Sequence, residues 1–145
     1  MIYQLLNTMY HLIIKIEEIN GKTKLVYETG FLDDRLKAQI KKHKQELIQR
    51  QAENTAARKL GFLVYDHGEL YEYRYGRGAF LYIQRLPYSR ASTWRENYLP
   101  GQAEAYKTKT IVHDVLFGKA FEQAVGLLSG WGRRVEGVWV RQFIL

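Results

Sequence analysis

Apolar and polar positions alternate most regularly over residues 61–85, GFLVYDHGELYEYRYGRGAFLYIQR. Period-two alternation broken by two glycine-containing turns predicts three short antiparallel strands, a meander. With His67-Gly68 and Gly76-Arg77 as two-residue loops, Val64 faces Tyr71, Tyr73 faces Phe80 and Tyr71 faces Tyr82. Side chains alternate along a strand, so this register puts Phe62, Val64, Tyr71, Tyr73, Tyr75, Phe80 and Tyr82 on one face. Leu63, Tyr65, Leu70, Glu72, Arg74, Ala79, Leu81 and Ile83 fall on the other. One face is aromatic, the other largely aliphatic.

Residues 11–29 predict a hairpin around Asn20-Gly21, the preferred type I′ pair. Its register opposes Glu17 to Lys24, Ile16 to Leu25 and Ile14 to Tyr27, with charges on one face and apolar pairs on the other. Asp33-Asp34 suit a helix start, and Leu32, Leu36, Ile40, His43 and Leu47 recur at helical spacing. A helix is therefore expected over about 33–60, stopped by Gly61. Residues 86–110 read as an irregular segment, bracketed at its core by Pro87 and Pro100, with Tyr106–Val112 as an edge strand. Asp114 is the expected cap of a second helix over about 114–129, with Leu116 or Phe117, Ala120, Phe121, Ala124, Val125 and Leu128 on its buried side. Residues 135–145, VEGVWVRQFIL, predict a C-terminal strand. The expected fold class is α+β: a single, mainly antiparallel sheet with two helices, forming a single domain over 1–145.

Charge adds a candidate partner. The chain has 145 residues, 22 Lys and Arg against 15 Asp and Glu, and a formal net charge of +7. Residues 31–60 hold eight basic residues against four acidic, and residues 86–112 four against two, whereas 61–85 balance. A basic domain favours a polyanionic partner. Lys37, Lys41, Lys42 and Lys44 crowd the first helix, and Arg77, Arg90 and Arg95 stand on or near the meander. With Tyr73, Tyr75 and Trp94 they make a candidate nucleic-acid surface, in which cations hold phosphates and aromatic rings stack on bases. The alternative for each is a structural role: solvated lysines, and aromatics that belong to the core.

Catalytic motifs are not found. The chain has no cysteine, no phosphate-binding loop, no nucleophile elbow and no histidine pair at helical zinc spacing. The order helix, meander, helix, strand resembles the core of PD-(D/E)xK nucleases, which implies a Mg²⁺ site with Glu69 or Glu72 as the acid. Ile83-Gln84-Arg85, however, stands where that family places a carboxylate-x-Lys. The same order resembles double-stranded RNA-binding domains, but the second helix opens HDVLFGKAFEQ and lacks their basic cluster. The expectation is thus a non-enzymatic nucleic-acid-binding protein without metal or cofactor, its nucleic acid single- or double-stranded. A protein-interaction or regulatory module using the same aromatic-arginine surface, as a homodimer or with another partner, is the alternative. A Mg²⁺-dependent nuclease is the third reading. Lys15, Glu17 and Glu18 interrupt the apolar N-terminal stretch before membrane-spanning length, and it has no basic leader region, so no membrane partner and a cytoplasmic location are expected.

Overall fold

The computed structural model describes residues 2–28 and 30–134. The chain forms two compact units, Met1–Thr55 and Ala56–Leu145.

The first unit begins with helix α1 (Ile2–His11), followed by strands β1 (Lys15–Ile19) and β2 (Lys22–Val26) and helix α2 (Asp34–Lys42). Leu5, Leu6 and Met9 lie on one side of α1 and are buried, as helical spacing requires. The expected hairpin therefore starts later than residue 11: His11 closes α1, and Ile13 takes a positive φ of 56° between helix and strand. Within β1 and β2 the expected register holds, with Glu17 opposite Lys24 and Ile16 opposite Leu25. Asn20 and Gly21 both have positive φ, as the type I′ loop demands. Asp33 caps α2, its Oδ1 accepting from the Leu36 amide at 2.7 Å. The helix expected over 33–60 is two helices, because His43 (φ −104°, ψ 17°) leaves helical geometry. Helix α3 (Lys44–Lys59) then carries the chain into the second unit. Leu5, Leu6, Met9, Ile14, Ile40 and Leu47 form the first unit's core.

The second unit is a five-stranded antiparallel sheet in the order β3-β4-β5-β6-β7, with helix α4 on one face. The strands are β3 (Leu63–Tyr65), β4 (Leu70–Gly76), β5 (Ala79–Leu86), β6 (Arg90–Asn97) and β7 (Lys107–Leu116), and α4 spans Phe117–Arg134. The fold is α+β, but the described residues form two sheets and four helices rather than one sheet and two helices. About half of the segment read as irregular is strand, because β6 and the start of β7 lie in it and widen the three-stranded meander to five strands. Its β-propensity was masked by polar residues, as RASTWREN and KTKT show little apolar alternation. The expected edge strand is present as the start of β7. Asp114 lies inside β7 rather than capping a helix, and α4 begins at Phe117. The strand expected over 135–145 lies outside the described residues.

The register of β4 and β5 decides what each face carries. Val64 opposes Tyr71 as expected. Across the next turn, however, Tyr71 opposes Ile83, Tyr73 opposes Leu81, Glu72 opposes Tyr82 and Arg74 opposes Phe80. Gly76 then pairs with Ala79, leaving Tyr75 as an extra residue in a bulge and Arg77-Gly78 as the loop. Because side chains alternate, this one-residue slip moves all of β5 to the opposite face. Tyr71, Tyr73, Leu81 and Ile83 point toward α4 and are packed with Ala57, Phe62, Phe117, Ala120, Ala124 and Leu128. Phe80 and Tyr82 join Glu72 and Arg74 on the outer face.

Candidate functional site

The outer face of the five-stranded sheet carries a row of aromatic rings. Trp94 opposes Tyr82 across β5 and β6, their rings stacked at 5.3 Å and 27°. Tyr82 stacks on Phe80 at 6.1 Å and 19°, and Tyr98 meets Phe80 edge-on at 5.6 Å and 86°. Cross-strand and i,i+2 neighbours on one face are the natural contacts of such a row.

Two carboxylates anchor the row. Glu72 Oε1 accepts from Arg74 Nε at 2.9 Å and from the Tyr65 hydroxyl at 3.2 Å. Glu96 accepts from Trp94 Nε1 at 3.0 Å and from the Tyr98 hydroxyl at 2.7 Å. Burial, and then the Glu72 carboxylate, push the Tyr82 hydroxyl well above the ordinary tyrosine value. The bond to Glu96 holds the Tyr98 hydroxyl up as well, and Glu72 raises Arg74. These phenols are neutral donors at physiological pH, and charge-assisted bonds of this kind fix ring positions.

The Arg77 end of the row opens into a concavity of about 480 Å³. Phe80, Tyr82 and Tyr98 form its walls, Leu99–Gln102 its edge, and Arg74 and Arg77 its cationic rim. Arg74 lies 5.6 Å from the Phe80 ring centre.

The first unit has a second candidate site. A groove of about 380 Å³ is lined by Lys24, Lys37, Lys41 and Lys44 over a floor that includes Ile16, Leu25 and Ile40, with Tyr27 at its side. No carboxylate lines it. Lysine stems lie readily along an apolar floor while the ammonium heads reach solvent, so the amphipathic hairpin and helix bring four cations to one opening. Lys24 was missed in the sequence, where its pairing with Glu17 on the hairpin accounted for it.

The other expected site residues are dispersed. Lys42 is exposed but does not line the groove. Tyr73 is 4 % exposed and packs against Phe62 at 5.4 Å, so the expectation that it offers a stacking surface fails. Tyr75 is half-buried against the same core, its hydroxyl accepting from Asn97 Nδ2 at 3.4 Å. Arg95 opposes Leu81 and so lies on the α4 side. Arg90 is held by Asp114, its Nε 2.7 Å from Oδ1. Of the expected meander and loop residues, Trp94 stands in the outer-face row and Arg77 lines its concavity, while Arg90 shares that face by register but is held by Asp114.

Two further arrangements bear on chemistry. Where β6 and β7 shift register, Ser92 Oγ accepts from the Asp114 amide at 3.1 Å and lies 2.7 Å from His113 Nδ1. Asp114 has a φ of 53°. Ser92 is 8 % exposed, and its bonds supply partners that the interrupted ladder lacks, which accounts for the pair structurally. Glu72, one of the two acids the nuclease reading offers, is occupied by Tyr65 and Arg74. Among the described residues no three His, Asp or Glu converge as metal ligands, and no helix is long and apolar enough to cross a membrane. Comparison with family models, curated proteins and solved structures finds no match.

Proposed function

We propose that the protein binds nucleic acid, chiefly through its phosphates. The observation that carries this reading is the convergence of Lys24, Lys37, Lys41 and Lys44 on one groove with no lining carboxylate. Four ammonium groups that close repel one another, and a polyanion relieves that repulsion while releasing its own counterions. Lys42 adds to the field without lining the groove, and Arg77 supplies a cation on the second unit. Arg90, paired with Asp114, contributes less.

Binding of a labelled oligonucleotide across a salt series tests the proposal. Affinity should fall steeply with salt, and substitution of the groove lysines should flatten that dependence. No binding at low ionic strength overturns the reading and favours a protein partner for the aromatic-arginine face, where Tyr, Trp and Arg are also favoured.

A further inference from the structure

We propose that the concavity on the outer sheet face is a nucleobase site, which makes the preferred ligand a single strand. The inference rests on the nucleic-acid reading above and names the form of ligand it takes. A base inside a duplex hides both faces in the stack, whereas a single strand can turn one out onto a protein surface.

The geometry suits a flat, polar-edged ring. Phe80 and Tyr82 lie nearly parallel, and Tyr98 stands perpendicular to Phe80, so a ring seated in this corner can stack on one wall and meet the other edge-on. The Arg74 guanidinium, held by Glu72 at 2.9 Å, is a second flat surface of the kind on which bases stack. A volume of about 480 Å³ lies within the range of small-ligand sites.

The polar groups are also suited to a base. The Tyr98 hydroxyl donates to Glu96, and Tyr82 stands directly opposite the Glu72 carboxylate across β4 and β5. A phenol that gives its one proton keeps acceptor lone pairs, so the Tyr98 oxygen is set to accept, as an exocyclic amino group of adenine, cytosine or guanine requires. The charges of the face balance, Arg74 and Arg77 against Glu72 and Glu96, and Arg77, exposed on the loop between β4 and β5, is the rim cation placed for the adjoining phosphate.

The test compares an oligoadenylate strand of about twelve nucleotides, within the usual site size, with a duplex of equal length, using the full chain. The strand should bind at least about tenfold more tightly. Phe80→Ala should weaken strand binding about 5- to 100-fold while changing duplex binding less than about twofold. Leu99→Asp, at an exposed position compatible with folding, should give the same selective loss and serves where Phe80→Ala does not fold. Strand and duplex bound alike, with Leu99→Asp without selective effect, would overturn the base site and leave the phosphate reading standing. Failure of both nucleic acids to bind would remove that reading, and this inference with it.

Discussion

Glu72 and Tyr82 stand directly opposite each other on β4 and β5, on the sheet face away from α4. Glu72 is 8 % exposed, and its carboxylate holds Arg74 and the Tyr65 hydroxyl and helps to raise the Tyr82 hydroxyl's pKa. One nearly buried charge thus fixes Arg74 at the concavity and Tyr65 on the neighbouring strand β3. Glu72→Gln keeps the shape but loses the charge-assisted bonds, and should cost about 1–3 kcal/mol of stability in denaturant titration. A loss much below that range would mean that the carboxylate does not organise this face.

Alkaline stability follows from the tyrosines. Burial pushes the Tyr73 hydroxyl from 10.0 up to about 12, and Tyr82 is raised as well. Above pH 10 the unfolded chain releases these protons while the folded chain retains them, so the unfolded state binds fewer protons. Stability should be unaffected by these groups below about pH 9 and should fall as pH rises from about 10 towards 12. Tyrosinate absorbance should appear together with loss of the fold. Titration of every tyrosine near 10 in a folded protein would contradict the burial of Tyr73.

The groove lysines should be distinguishable from a lysine that is merely nearby. Lys37→Ala, Lys41→Ala and Lys44→Ala should each lower the slope of log affinity against log salt by about one. Lys42→Ala, outside the groove lining, should change it less. Equal effects at all four positions would show a diffuse basic field rather than a site.

Local rules made part of this structure readable from sequence. Asn20-Gly21 fixed the first hairpin's register, Asp33 the start of α2, and Gly61 the end of α3, where its φ is 100°. Each depends on one turn or cap. The aromatic face was misassigned because its register depends on which glycine makes the loop, Gly76 or Gly78, and both fit a hairpin tip. Choosing Gly78 inserts Tyr75 as a bulge and exchanges Phe80 and Tyr82 with Leu81 and Ile83. The difference is energetic and non-local: Leu81 and Ile83, both fully buried, fill the α4 side, where two more aromatic rings would have to be accommodated. The lysine groove was half legible, because the helical spacing read over 33–60 aligned Lys37 and Lys41 on α2 with Lys44 at the start of α3, whereas Lys24 joins them only through tertiary folding. Arg90 and Asp114 lie far apart in the chain, and their pairing depends on the strand pair β6–β7, which polar residues concealed.

The loop glycine chosen by the fold is itself testable. Gly78 has a φ of 69°, and a Cβ there would collide with the carbonyl oxygen of Tyr98. Its own carbonyl accepts from the Tyr98 amide at 2.7 Å, so this backbone contact sets where Tyr98 enters the concavity. Gly101, in the loop at the concavity's edge, has a φ of 76°, but a Cβ there would meet nothing within 4 Å. The pair separates conformational strain from collision. Gly101→Ala should cost about 1–2 kcal/mol, the strain of a left-handed residue alone. Gly78→Ala should exceed that by at least about 1 kcal/mol, because a well-packed backbone must also move. Displacing Tyr98 should also weaken single-strand binding by the folded fraction, which Gly101→Ala should leave closer to the parent. Chemical denaturation and oligonucleotide titration of the two variants measure both effects. Equal stability losses would show that the Tyr98 segment yields freely and that the wall it forms is not fixed by Gly78.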